Sequence, residues 1–267
     1  MKRFTAFAVA AVVALVVVAW APAQTGDATA DGNSHPNVGA LLRKRTDGSL
    51  TIVCSGTLVS PRVFLTAGHC SNYLLTHGQP DAYVTFDPNF GRDAEHNIFS
   101  TQYHGQVIEN PDWHVPYQND TAIVLLDHPV SGITPAKIAP LHFLDQLKDA
   151  HALNDLAYLN VGYGTSEMVV VPTVGPTFPF DGIRKWTISG YHALDQEFIH
   201  LDQNIHRDLS GTGYGDSGGP TFVDTPNGPV IVSVVSTGDI PCYSTSVNER
   251  VDTENAQNFL APYLALR

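Results

Sequence analysis

From residue 38 onward the apolar positions fall into short runs separated by glycine, proline, asparagine and aspartate. The runs are VGALL (38–42), LTIVCSGTLVS (50–60), RVFLTAG (62–68), AYVTF (82–86) and TAIVLL (121–126), then LAYLNVGYG (156–164), IRKWTISGY (183–191), EFIHL (197–201) and PVIVSVVSTG (229–238). Runs of this length and spacing predict strands, and a succession of them predicts an all-β sandwich or barrel. A helical period is convincing in one place, the tail. There Asp252 would cap a helix that puts Ala256, Phe259, Leu260, Tyr263 and Leu264 on one face, with Pro262 interrupting it. The proline-rich stretch 169–180 reads as an ordered surface loop. The length after residue 37 is compatible with one packed β unit or with two.

The chain opens with Met1, Lys2 and Arg3, continues in an apolar stretch from Phe4 to Trp20, and closes that stretch with Ala-Pro-Ala at 21–23. A basic start, an apolar centre and a small-x-small end predict a cleaved secretory signal over residues 1–23 and a secreted protein. A retained anchor would instead end in basic stop-transfer residues. No later segment is apolar enough to span a bilayer. The expected organisation is therefore a signal at 1–23, a short segment at 24–34 and a domain at 35–267.

Of the 267 residues, 43% are hydrophobic and 15% charged, which suits a globular chain. The formal charge of −12 deepens to about −14 once Lys2 and Arg3 are removed. That sign argues against nucleic acid and anionic membrane surfaces as partners, and no stable membrane association is expected after signal removal. Cys54, Cys70 and Cys242 are most simply one pair and one spare in an oxidising compartment. Cys54 and Cys70 could staple a local hairpin, a link worth about 3 kcal/mol.

The stretch GYGDSGGPTF, residues 213–222, surrounds Ser217 with glycines. Amide hydrolysis at neutral pH needs a nucleophile, a base, a group that orients the base, and donors for the developing oxyanion. Gly215, Gly218 and Gly219 would let the backbone turn sharply around Ser217, pointing the N–H groups of Gly215 and Ser217 into one hollow. LTAGHC offers His69 as a base beside a cysteine that would pin it. NDTAIVLL offers Asp120 at the mouth of an apolar strand, where an unpaired buried carboxylate would be unfavourable and an imidazole partner would offset that. The bland alternatives are a surface turn, a structural histidine and an exposed capping aspartate.

LTAGHC, NDTAIVLL and GDSGGP, in that order, resemble the three motifs of the chymotrypsin-like (trypsin-like) serine peptidases. The resemblance runs from about His35 to the C-terminus. It implies two packed six-stranded antiparallel β-barrels with a short C-terminal helix, a boundary between them near residues 140–160, and a catalytic cleft at their junction. It also implies Ser217 as nucleophile, His69 as general base and acid, Asp120 as the orienter of His69, and Gly215 with Ser217 as the oxyanion hole. Ser236, within VVSTG at 234–238, is expected to support Asp120, and that segment resembles the one on which a peptide substrate pairs as an added strand. VGYG at 161–164 resembles the glycine turn beside the oxyanion loop. No metal or organic cofactor is implied. Polypeptides, as substrates and as inhibitors, are the implied partners of an expected monomer.

Counting back from Ser217, Gly211 corresponds to the base of the primary specificity pocket, with Thr212, Tyr214, Gly238 and Ser246 as further wall positions. Glycine at the base implies an uncharged side chain before the cleaved bond, apolar or aromatic, although Asp239 on a nearby loop could attract a cation. The usual partner position of Cys242 is Gly213, so Cys242 is expected to be free. The Ile-Val-Gly-Gly-like start that normally pairs with the residue at Asp216 is not visible in TGDATADGNS. That departure keeps open a latent or catalytically silent relative acting as a binding module, and an esterase would use the same groups. Asp87 to Asn97 lacks the glycine and terminal glutamate spacing that a calcium loop requires and reads as an ordinary loop. The sequon at Asn119 overlaps Asp120, where a glycan would block the site, so it is expected to be unused.

Overall fold

The first three apolar runs fold into consecutive antiparallel strands, β1 (Val38–Lys44), β2 (Leu50–Ser60) and β3 (Val63–Thr66). With β4 (Asp81–Thr85), β5 (Tyr103–Glu109) and β6 (Ala122–Leu126) they close a barrel in the order β1-β2-β3-β6-β5-β4. The computed structural model describes residues 28–91, 100–115, 117–165, 169–171 and 174–266. The expected signal at 1–23 and most of the 87–97 loop lie outside the described residues.

A second barrel follows, made of β7 (Tyr158–Gly162), β8 (Lys185–Leu194), β9 (Phe198–Asp202), β10 (Pro220–Val223), β11 (Val230–Gly238) and β12 (Thr245–Arg250). Its order is β7-β8-β9-β12-β11-β10, and β7 pairs with both β8 and β10 to close it. This is the winding of the first barrel repeated. Closure removes the free edges that an open sheet would expose. The fold is thus two closed six-stranded antiparallel barrels with a short C-terminal helix.

Each of the nine apolar runs contains or overlaps a strand, whereas β5, β10 and β12 lack such a run. β10 is short and begins with proline. β12, TSVNER, looks like a loop because its buried positions include Ser246 and Asn248. Two helices escape the periodicity reading, α1 (Gly68–Thr76) and α2 (Phe143–Asp149), both too short for a period to register. The tail helix, α3 (Glu254–Leu264), forms as expected and buries Ala256, Phe259 and Leu260. Its cap is Thr253, which accepts the Ala256 N–H at 3.3 Å, and not Asp252. Asp252 faces inward, accepting the Leu144 N–H at 2.7 Å and pairing with Arg250. Residues 169–171 and 175–177 pair as a small antiparallel hairpin within the expected loop.

The first barrel is filled by apolar side chains, among them Leu41, Leu58, Phe64, Val84, Val124 and Leu126. A second cluster joins the barrels: Val38, Leu65 and Ile123 of the first meet Phe222, Ile231 and Val234 of the second, with Phe259 and Leu260 of α3. The leading segment is also tied down. Thr29 and Ala30 pair with β8, and Arg184, fully buried, donates to Asp31 at 2.8 Å, to Asn33 at 2.8 Å and to the carbonyls of Val38 and Phe86. Burial pushes the Asp31 carboxyl up, but its hydrogen bonds from His35 and Arg184 outweigh this and hold it at about 2.

Glu249 alternates with Asn248 on β12 and faces the other way, toward the seam between the barrels. It is 2% exposed and its Oε2 has no hydrogen-bond partner. Burial pushes its carboxyl up to about 9; the Asp120 amide opposes this, while the charges of Asp120, Glu197 and Asp195 add to it.

Arg184→Ala leaves Asp31 buried without its guanidinium and should cost about 3–5 kcal/mol in chemical denaturation; a loss under about 1 kcal/mol would show that the clamp is not stabilising. For Glu249 the folded-state value lies above the ordinary 4.5, so its stability contribution is complete below about pH 4.5 and is lost as pH rises toward about 9. The Tm of wild type should therefore fall relative to Glu249→Gln between about pH 5 and about pH 9, and parallel curves would refute the buried neutral acid.

Candidate active site

Asp120 sits at the N-terminal end of β6, 0% exposed, where the barrels meet. Hydrogen bonds to its carboxylate come from both sides of the seam. Oδ1 accepts the backbone N–H of His69 at 2.7 Å and Trp113 Nε1 at 3.1 Å. Oδ2 accepts His69 Nδ1 at 2.8 Å and Ser236 Oγ at 2.5 Å. Four donors on one carboxylate satisfy its main lone-pair directions, the condition for burying it. Because Nδ1–H is directed to Asp120, Nε2 is left as the unprotonated nitrogen of a neutral ring.

Local structure explains how each donor arrives. His69 lies in the first turn of α1, which the Cys54–Cys70 disulfide fastens to β2. A Cβ at Gly68 would overlap the Trp113 indole, so glycine at 68 lets the ring lie close to the helix start. Ser236 occupies a β-bulge: Val235 pairs with Asn248 and Thr237 with Val247, leaving Ser236 as the extra residue. A bulge re-aims the side chain it carries, here at Asp120. Tyr117 meets the His69 ring edge to face, with centroids 5.7 Å apart.

Ser217 and His69 both line the same two cavities. The serine turn is anchored by the opposite barrel. Ser55 on β2 donates its N–H to the Ser217 carbonyl at 2.8 Å and its hydroxyl to the Gly215 carbonyl at 2.9 Å, and Thr66 Oγ1 donates to the Ser55 carbonyl at 2.8 Å. Gly218 has φ of +77°, and a Cβ there would collide with Thr66 and Ser55, so only glycine permits this approach. Gly215 also has positive φ, +95°. The Asp216 carboxylate accepts, among its contacts, the N–H groups of Gly164 and Gly213, each at 2.8 Å. This places the glycine turn at 161–164 beside the serine loop, as expected.

One of these cavities has a volume of about 240 Å³ and is lined by Thr212, Tyr214, Gly238, Asp239 and Cys242 together with Gln203. Gly211 is backed by Gln203, whose Oε1 occupies the space a Cβ at 211 would need. Ser246 is buried behind Thr212, their hydroxyls 2.8 Å apart. The Asp239 carboxylate accepts the N–H groups of Tyr243, Ser244 and Thr245 at 3.0, 3.0 and 2.6 Å. Burial pushes that carboxyl up, but these amides outweigh it and leave Asp239 below its ordinary value. The loop thus uses this carboxylate internally.

Trp113, Tyr117, Ser55 and Gln203 carry no motif and were not singled out from sequence. Proximity to Cys54 was the only signal for Ser55. The Asn119 side-chain nitrogen that a glycan would modify donates to the Asp112 carbonyl at 2.9 Å. Cys54, Cys70 and His69 converge closely enough to suggest a metal cluster, but both sulfurs are committed to the disulfide.

Cys242 is free and buried, and burial, with the charges of Asp239 and Asp216, pushes its thiol up to about 11. Thiol titration of the unreduced protein should find one reactive group on denaturation and slow reaction in the native state. No reactive thiol after denaturation would mean that Cys242 is bonded elsewhere.

Comparison with known proteins bears on this arrangement. Over 118 residues the chain is 30% identical to the thrombin-like enzyme acutobin of Deinagkistrodon acutus, a match covering 43% of this chain and 40% of that protein. The sequence model of the trypsin family matches residues 24–257, nearly all of the two-barrel region. With the fold and the matched span in agreement, the chain belongs to the trypsin family of serine proteases.

Proposed function

We propose that the protein is a secreted serine endopeptidase that cleaves peptide bonds after uncharged residues through an acyl-enzyme on Ser217. The observation that carries this reading is the buried Asp120 bonded to His69 Nδ1 at 2.8 Å, with Ser217 and His69 flanking shared cavities. Ser217 Oγ attacks the scissile carbonyl carbon while its proton passes to His69 Nε2. The carbonyl oxygen, now an anion, is received by the N–H groups of Gly215 and Ser217. Collapse breaks the C–N bond, and His69 returns the proton to the leaving amine. Water then repeats the sequence on the ester, giving the free acid and restoring Ser217. Asp120 orients His69 and stabilises the imidazolium that forms, and Ser236 and Trp113 hold Asp120 in place.

The absence of an acid at Gly211 supports the uncharged preference, since nothing at the pocket base would neutralise an arginine or lysine. An apolar or aromatic side chain is the simplest uncharged class on sequence grounds.

An organophosphonate probe should add once to the folded protein, at Ser217, and not to the denatured protein, as read by intact mass and peptide mapping. Asp120→Asn should lower kcat by about 10⁴-fold, because the imidazole would be held in the wrong tautomer. A folded protein that takes no label would favour a latent or binding role over an enzyme.

A further inference from the structure

The cavity beside Ser217 carries two hydrogen-bonding groups whose polarity the structure fixes. Gln203, 1% exposed, lies at its floor. Its Oε1 accepts the backbone N–H of Thr212 at 3.0 Å. A backbone N–H can only donate, so the amide cannot be reversed, and Nε2 with its two hydrogens is the other end. Nε2 bonds to no described residue and is not sealed off inside the protein. It therefore addresses the cavity that Gln203 lines.

The wall is Thr212, and its polarity is set by a chain of buried side chains running through the second barrel. The chain ends on a backbone carbonyl: Ser189 Oγ donates to the Ser210 carbonyl at 2.7 Å. Having used its one hydrogen, Ser189 Oγ must accept, and it does so from Asn160 Nδ2 at 2.8 Å, a nitrogen that also points at the Tyr158 carbonyl. Asn160 Oδ1 then accepts from Thr221 Oγ1 at 2.8 Å, and Thr221 accepts from Asn248 Nδ2 at 2.9 Å. Asn248 Oδ1 accepts from Ser246 Oγ at 2.6 Å. Ser246 has no hydrogen left, so in its 2.8 Å contact with Thr212 the donor is Thr212. The Thr212 hydroxyl hydrogen is thus turned inward, and toward the cavity it offers lone pairs.

The geometry points to a neutral primary carboxamide, the side chain of glutamine, as the group this pocket selects before the cleaved bond. In this arrangement Gln203 Nε2 donates to the ligand carbonyl and Thr212 Oγ1 accepts from the ligand amide. The inference rests on the serine-peptidase reading for the bond that is cut. Methionine, nearly the same size, would leave both pocket groups unpartnered, and polar sites reject such analogues strongly. A glutamate side chain would set one carboxylate oxygen against the Thr212 lone pairs. Lysine or arginine would bring hydrogens against those of Gln203. Asparagine carries the right group on a stem one methylene shorter. Gln203 therefore moves the expectation from apolar or aromatic side chains to a polar uncharged one.

Two measurements separate this inference from the catalytic one. Acetylated tripeptide acids ending in glutamine, methionine, glutamate, phenylalanine or arginine are titrated calorimetrically into Ser217→Ala protein, which tests the pocket without chemistry. The corresponding nitroanilides are then assayed on wild type. The glutamine peptide should bind at least about tenfold tighter than the methionine one, with a matching rank in kcat/KM. Gln203→Glu and Thr212→Val, both close in shape to the native residues, should each erase that margin. Equal or tighter binding of the methionine, phenylalanine or arginine peptide would overturn the assignment. Selective binding without hydrolysis of any nitroanilide would leave the pocket assignment standing and defeat the peptidase reading.

Discussion

A carboxylate sealed from water has to find its hydrogen bonds inside the protein, and Asp120 finds them on both barrels. His69, from the first turn of α1, and Trp113, from the loop before β6, approach from the first barrel, and Ser236 from a strand of the second. Before the barrels dock, Asp120 lacks the Ser236 contact and the cover that excludes water. Docking therefore completes the shell around the carboxylate that orients His69, and it is driven by the apolar cluster that spans the seam and includes Phe259 and Leu260 of α3. The serine turn obeys the same logic, since Ser55 and Thr66 of the first barrel hold a loop of the second.

The two barrels share a winding order but not an interior. The first is packed with leucine, valine and phenylalanine, as a small closed barrel requires. In the second, Asn248 on β12 bonds to Thr221 on β10, and these strands are not neighbours, so the bond crosses the inside of the barrel. Buried polar groups are tolerable when each is satisfied and destabilising when a chain of them is interrupted. This chain runs without a gap from Thr212 to the Ser210 carbonyl. Thr57, Thr187 and Ser233, whose hydroxyls lack partners, lie off it.

That contrast explains what was legible in the sequence. Five strands of the first barrel and four of the second announce themselves by hydrophobic runs, and the three signature segments locate Ser217, His69 and Asp120, which the fold brings to the junction of the barrels. β12 was invisible because its inward positions are serine and asparagine. Gln203 was invisible because it reaches the pocket from after β9, a placement that depends on strand pairing and not on proximity to Ser217 in the chain. Ser55 escapes notice for the same reason, because its partner, the 215–217 backbone, becomes a neighbour only after both barrels close, whereas Trp113 stands close to Asp120 in the chain but in a loop with no period to mark it. Asp252 was misread as a cap because a carboxylate before a helix usually serves the amides of that helix, whereas this one is drawn inward by Arg250 and the Leu144 amide.

β12 is where the two polar systems meet. Successive side chains on a strand point to opposite faces. Ser246 and Asn248 face the barrel interior and set the polarity of the pocket wall, while Glu249 faces the seam and lies against Asp120. The pairing of β12 with β11 places Asn248 opposite Val235 and Glu249 opposite Val234, with the Ser236 bulge one position further along. A slip of one residue would turn Glu249 into the barrel and Asn248 out of it, and would also move the bulge that aims Ser236. The same register therefore governs both the polarity of the cavity wall and the hydrogen bonds around Asp120, so the two depend on one strand that looks, in sequence, like a polar loop.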